Sequence, residues 1–186
     1  MESFTTERNS NIRIVDANPD GITLIKAINV KVLQMYPDVE LPFYATSGSA
    51  GCDIRAYLTK ENGYPENKRC IRAGETVAIP TGLKFQLPEG YEMQIRPRSG
   101  LSLKTKLRVG NSPGTLDCDY TGEIMIILDN ISSNQDAIID HKDRIAQLIF
   151  APAIIAKFSI SSTLNETDRK GGLGSTGKNW GEKNEN

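Results

Sequence analysis

Short apolar runs punctuated by turn residues, with no long stretch at helical period, constrain this chain more than any other feature. From Ile22 onward such runs occupy 22–35, 52–58, 75–87, 91–97, 123–130 and 144–158, and many of their residues are β-branched. Between them stand Asn62-Gly63, Arg72-Ala73-Gly74-Glu75, Pro88-Glu89-Gly90 and Ser112-Pro113-Gly114, which bend the backbone or cannot continue a ladder. Runs of this length and punctuation read as strands. Many short strands joined by turns predict an all-β protein, an antiparallel sandwich or barrel of jelly-roll type. One short helix fits, around 100–104.

The ends are patterned differently. Residues 1–20 are polar, with strand-like character only at Ile12-Arg13-Ile14-Val15, so 1–26 reads as an N-terminal extension and 27–160 as the folded domain. From 165 to 186 the chain is rich in Gly, Lys, Asn and Thr, with Leu173 and Trp180 almost the only apolar residues. Such a segment cannot bury enough apolar surface to order itself, so 161–186 is expected to be a mobile, Gly-rich arm. At 186 residues the length suits one domain.

Charge narrows the partners. Lysine plus arginine number 22 against 23 acids, which gives no summed field for a long polyanion and leaves open a small anion held by a few placed groups. No apolar run reaches the length of a membrane span, and residues 1–20 lack the basic and apolar regions of a secretory signal. A cytoplasmic protein with neither nucleic acid nor membrane as partner is expected. Cys52, Cys70 and Cys118 are odd in number and lack CxxC spacing, so reduced, mostly packed thiols are expected rather than a disulfide framework or a zinc knuckle. His141 is the only histidine, which removes multi-histidine metal sites and leaves a Ser/His/Asp site resting on one ring. Its polar setting, Asp140-His141-Lys142-Asp143, reads as a solvated turn.

Five short segments concentrate glycine, hydroxyl and charged residues at strand ends, where a β-scaffold presents its site. In Ser49-Ala50-Gly51-Cys52-Asp53, Asp53 either caps a turn or serves as an oxygen ligand, direct or through water, for a hard divalent cation. In Arg96-Pro97-Arg98-Ser99-Gly100-Leu101-Ser102, Arg98, Ser99 and Gly100 offer a charged fork, a hydroxyl and exposed amides suited to phosphate, or Arg98 is a surface arginine beside a turn. The stretch 111–123 reads as a hairpin with two carboxylates and a phenol, in which a carboxylate could deprotonate a water; Asx turns would also explain its acids. Gln147, on a strand where it is expected to share a face with Ile145 and Ile149, needs either backbone or a ligand as partner. The run Arg169-Lys170-Gly171-Gly172-Leu173-Gly174-Ser175-Thr176-Gly177 has the content of a phosphate-wrapping loop without P-loop order, or is simply a Gly-rich tail.

Taken together and in this order, the segments resemble the five motifs of the homotrimeric dUTPase family, over 27–177. The stretches 97–102, 111–124 and 144–150 are each close to the family pattern. The resemblance implies a jelly-roll (β-clip) protomer in a homotrimer with shared active sites, hydrolysing dUTP to dUMP and pyrophosphate with Mg²⁺. That reaction limits uracil in DNA and supplies dUMP for dTMP synthesis. By the same resemblance Asp117 activates the attacking water, and Tyr120 packs beneath the deoxyribose and excludes a 2′-hydroxyl. Asn111 with the backbone at Gly114 and Leu116 reads uracil. Arg98, Ser99, Gly100 and Gln147 contact phosphates, Asp53 reaches the metal through water, and Arg144 orients its neighbours. The arm, with Arg169, Leu173, Gly174 and Ser175, closes over a neighbouring subunit's site.

The fifth segment departs from the family twice. The family has an arginine, two residues and then Gly-Gly-Phe, whereas here Lys170 alone separates Arg169 from Gly171-Gly172, and Leu173 stands where the phenylalanine stacks on uracil. Weaker closure of the arm is expected. dCTP deaminases share the fold and parts of these motifs, but the position of their catalytic glutamate corresponds to Ile127. Some phage-encoded relatives act as nucleotide sensors, and residues 1–26 could add such a role; for a phage-encoded protein the location is the host-cell cytoplasm.

Overall fold

The computed structural model describes residues 12–18 and 21–168. The chain divides into two units, Met1–Ile154 and Ile155–Asn186. The first contains β1 (Ile12–Asn18), β2 (Gly21–Lys26), β3 (Lys31–Gln34), β4 (Phe43–Tyr44), β5 (Cys52–Arg55), β6 (Lys68–Ile71) and β7 (Thr76–Gln86). It continues with β8 (Tyr91–Arg96), α1 (Ser99–Lys104), β9 (Leu107–Val109), β10 (Gly114–Leu116), β11 (Glu123–Asn130), β12 (Ala137–Asp140) and β13 (Arg144–Pro152).

Two larger sheets carry the fold, one in the order β10-β8-β13-β5-β4 and the other β3-β7-β11-β9, with antiparallel pairing throughout. Smaller ladders join β12 to β6 and β1 to β2. Alternation builds the core: on β11 Ile124, Ile126 and Leu128 are buried, while Met125 between them is exposed. They meet Ile54 of β5, Met93 and Ile95 of β8 and Leu148 of β13 in one apolar cluster. Burying each such side chain contributes about 1.5–3 kcal/mol. This is the all-β, jelly-roll-like architecture expected; among the described residues α1 is the one α-helix, beginning a residue before the expected 100, and Lys60–Asn62 form a single 3₁₀ turn.

Several local expectations change. Within the N-terminal extension, the strand-like stretch at 12–15 is part of β1, which runs on to Asn18 and pairs with β2. The strands β6 and β12 were not visible in the sequence; Lys68 and Arg69 mask the first, and the second is only four residues long, yet each sends one isoleucine, Ile71 and Ile139, into the core. The stretch 111–123 is not a simple hairpin, because β10 pairs with β8 in one sheet and β11 with β7 and β9 in the other. The chain therefore crosses between sheets at 117–122. The run 144–158 is strand only as far as Pro152, a residue without an amide to extend the ladder. In the second unit, residues 155–168 form no strand or helix, and Ile155, Phe158 and Ile160 are 89, 96 and 105 % exposed. Among the thiols Cys52 is buried and Cys118 half-buried, but Cys70 is exposed, and all three are free.

His141 lies in the turn between β12 and β13 but is not merely solvated. The Leu58 amide donates to its Nδ1 at 3.1 Å, and its ring meets Tyr57 edge-on, centroids 5.1 Å apart. Tyr57 in turn stacks on Tyr36 and donates to Asp38. Burial, followed by the neighbouring Lys142 cation, holds the imidazole below its ordinary range, against the weaker pull of Asp38 and Glu40. The unfolded chain therefore takes up the proton first as pH falls, so this contribution to stability is complete above about pH 6.5 and is lost on acidification below it. A His141→Gln variant is expected to show a shallower fall in thermal midpoint between pH 7 and pH 5.5 than the wild type; parallel curves would remove His141 from this role.

Candidate active site

The end of β10 delivers the first group of side chains. Gly114, Thr115 and Leu116 pair with Ile95, Gln94 and Met93 of β8, which fixes the strand until Asp117 leaves the ladder. The Tyr120 amide then donates to the Asp117 carbonyl at 3.2 Å, closing a four-residue turn with Asp117 and Tyr120 at its ends. Both line a cavity of about 180 Å³ together with Asn111, Gly114 and Leu116. A Cβ on Gly114 would stand 3.1 Å from Asn111 Nδ2 and 3.2 Å from the Ile95 side chain, so the Asn111 amide lies directly against bare backbone. The cavity is smaller than the ~300–1,000 Å³ usual for drug-sized ligands and suits one flat ring.

The second group surrounds Asp53 on β5. Arg98 Nε donates to its Oδ1 at 2.8 Å and Arg144 Nη1 to its Oδ2 at 3.0 Å, with the carboxylate side chain only 14 % exposed. Arg98 also donates to the Arg144 carbonyl at 3.1 Å. One carboxylate thus holds two guanidinium groups close together, with unused donors on each. Arg98 is the residue before α1, and the exposed Ser99 and Gly100 begin the helix, where amides have no carbonyl one turn back. Arg98, Gly100 and Arg144 line a second cavity of about 370 Å³.

Gln147 lies opposite both Asp53 and Arg96 in the sheet register, and its Nε2 donates to the Pro97 carbonyl at 2.9 Å. Backbone is therefore its protein partner, and the bond holds the turn that leads into α1. Gly51 makes this possible, since a Cβ there would lie 2.5 Å from Gln147 Oε1 and 2.9 Å from Ile149. Gln147 shares its face with Ile149 but not with Ile145, which is fully buried in the core beside Ala146 where the β13 register shifts against β5.

The expected residues fall into two clusters, and among the described residues none lines both cavities. Arg169, Leu173, Gly174 and Ser175 lie outside the described residues. Glu123 lines the first cavity and Lys104 the second without having been singled out in the sequence. Lys104 stands four residues after Gly100 on the helix, a spacing that could have signalled it; the place of Glu123 depends on a contact across the sheet. Another cavity, of about 540 Å³, is lined mainly by apolar residues such as Val30 and Phe150 and holds none of these groups. Among the described residues no group of three or more His, Cys, Asp or Glu could hold a metal, and no helix is long and apolar enough to cross a membrane.

Fold and comparisons together place the chain among the all-β hydrolases of nucleotides. The dUTPase family model matches residues 38–177. The deoxyuridine 5′-triphosphate nucleotidohydrolase of Roseobacter denitrificans is 47% identical over 140 residues, covering 75% of this chain and 88% of that protein. The protein of the same name from Chlamydia caviae is 44% identical over 151 residues, covering 79% and 97%. Among solved structures, a dUTPase variant of Staphylococcus bacteriophage 80alpha with dUpNHpp superposes with a TM-score of 0.67 at 21% identity, covering 80% of this chain and 98% of that one. A dUTPase variant of phage phi11 of S. aureus, described for its coordination of a structural Mg(II) ion, gives 0.61 at 20% identity, covering 73% and 97%. The chain belongs to the dUTPase family and is an enzyme of it, a dUTP diphosphatase.

Proposed function

We propose that the protein hydrolyses dUTP to dUMP and pyrophosphate by attack of water on the α-phosphorus, with Asp117 as the base. The observation that carries this reading is the turn that brings Asp117 and Tyr120 into one small cavity with Asn111 at the bare backbone of Gly114. Asn111 and the backbone at Gly114 and Leu116 read uracil, and the Tyr120 ring sits beneath the deoxyribose, where a 2′-hydroxyl would collide. Asp117 orients the water and takes its proton as the oxygen–phosphorus bond forms and the bond from the α-phosphorus to the bridging oxygen breaks. Arg98 and Arg169 offset the charge that develops on the leaving pyrophosphate, with the Ser99 and Gly100 amides and Gln147 beside them.

The donor set tests the place of Mg²⁺. Both oxygens of Asp53 already accept a guanidinium bond, which speaks against direct coordination, but a carboxylate has further lone pairs that can accept from water. Asp53 therefore suits a metal carried by the triphosphate and contacted through water. When bound, the ion screens the phosphate charge and orients the chain of phosphates.

Two features support a homotrimer with shared sites. The base-side and phosphate-side residues line separate cavities in one chain, so a neighbour's cluster can complete each. Ile155, Phe158 and Ile160 stand in water unless another copy covers them. The arm 161–186 closes over a neighbour's site, and 1–26 precedes the jelly-roll domain 27–160. Its setting is the cytoplasm, or the host-cell cytoplasm if the gene is carried by a phage, and its product supplies dTMP synthesis while uracil is kept out of DNA.

Pyrophosphate release measured with dUTP, dTTP, dCTP and UTP is the direct test: dUTP alone should turn over efficiently, and equal turnover of UTP would remove the sugar role of Tyr120. Ammonia release from dCTP would favour the deaminase reading, which Ile127 on β11 does not support. Leu173→Phe restores a stacking ring to the arm and should raise kcat/KM for dUTP about fivefold or more, since base–aromatic stacking is worth ~1–3 kcal/mol. A flat response would mean that the arm does not cover the base.

A further inference from the structure

We infer that Glu123, itself anchored to a bulge in β7, is a positioning residue for sugar selection that holds the Tyr120 hydroxyl; the inference rests on the reading of Tyr120 as the ring beneath the deoxyribose. Pairing of β11 with β7 shifts from Glu123 opposite Lys84 to Met125 opposite Pro80, which sets Thr81, Gly82 and Leu83 against Ile124 alone. Gly82 adopts a φ of +68°, and a Cβ there would lie 2.7 Å from the Val39 side chain, so the bulge demands glycine. Its amide, turned out of the ladder, donates to Glu123 Oε1 at 2.8 Å. Thr81, 1 % exposed, donates through Oγ1 to the Ile124 carbonyl at 2.7 Å. Residues 123 and 124 are thereby fixed through a side chain and through the backbone.

The fixed residue is the one that holds the sugar-side ring. The Tyr120 hydroxyl donates to the Glu123 carbonyl at 3.0 Å, and Gly122 between them leaves the space, since a Cβ there would lie 2.5 Å from the phenol oxygen. Tyr120 and Glu123 both line the small cavity. Tyr120 is 46 % exposed, so packing alone leaves its ring room to swing. A ring excludes a 2′-hydroxyl only if it does not yield, and the bond at its far end opposes that movement. The path of support runs from the β7 bulge through the Glu123 carboxylate to its carbonyl and then to the phenol.

The test compares kcat/KM for dUTP and UTP, with thermal midpoints, in wild type, Glu123→Gln, Glu123→Ala, Tyr120→Phe and Tyr120→Ala. Glu123→Ala should narrow the preference for dUTP about 2- to 10-fold, the size of one lost neutral hydrogen bond. Glu123→Gln keeps an acceptor for the Gly82 amide and should retain the wild-type ratio. Tyr120→Phe should narrow the ratio by itself, and adding Glu123→Ala to it should change the ratio little further. Equal losses on both nucleotides in Glu123→Ala, with a lowered midpoint, would mean a purely structural role and overturn the inference. Should that variant not fold, Tyr120→Phe cuts the same support, and an unchanged ratio there overturns it too. A wild-type ratio in Tyr120→Ala would instead overturn the sugar reading on which the inference stands, so the two failures are distinguishable.

Discussion

Asp117→Asn should lower kcat for pyrophosphate release from dUTP by about 10²–10⁴-fold, the usual contribution of a placed general base. The substitution keeps the shape of the side chain and removes its capacity to take a proton. Asp117 is exposed where β10 ends, and among the described residues its side chain has no hydrogen-bond partner in the protein. The thermal midpoint and KM should therefore stay close to wild type, and the loss should fall on kcat. That pattern separates a catalytic effect from a folding one. A variant retaining more than about a tenth of wild-type turnover would place the base elsewhere, because an amide cannot supply a contribution of the size expected here.

Asp53→Ala carries the second large effect. The carboxylate is shared by Arg98 and Arg144, and its removal leaves two guanidinium groups side by side with no other ion-pair partner among the described residues. Charge-assisted hydrogen bonds are worth about 1.5–3 kcal/mol each, reduced here because the Arg98 and Arg144 side chains are 24% and 42% exposed. A fall in kcat/KM of about 10- to 100-fold is expected, mainly through KM, with a smaller loss for Asp53→Asn. Adding Arg144→Ala to Asp53→Ala should recover part of the loss by relieving repulsion at Arg98. Titration with Mg²⁺ distinguishes the two roles of the carboxylate: a changed half-saturation in Asp53→Asn indicates a contact to the ion through water, and an unchanged one leaves only the arginine clamp. If Asp53→Ala keeps the wild-type KM, Arg98 does not depend on this carboxylate for its position.

The relation between sequence and structure is clearest at particular elements. Alternation on β11 is local and was legible, as was the turn into α1, because side-chain period and backbone preference act over a few residues. The strands β6 and β12 were not legible, since each is stabilised by its partner across the ladder and by a single core isoleucine. His141 reads as a polar turn until the chain at Leu58 is brought to its ring. Gln147 reads as a strand residue in want of a partner, and only the approach of Pro97 and the space above Gly51 supply one.

By itself the sequence determined the all-β class, the one short helix and the set of residue types at strand ends, because periodicity, turn chemistry and motif order are written along the chain. It also placed Asp117, Tyr120 and Asn111 in one short segment, whatever the sheets around it. Only the tertiary structure decided that Asp53 is occupied by two arginines, that the base-side and phosphate-side residues line separate cavities, and that Glu123 is tied to a bulge in β7. These follow from strand register and bulges, which depend on pairing between residues far apart in the chain and shift which side chains meet without changing any local pattern.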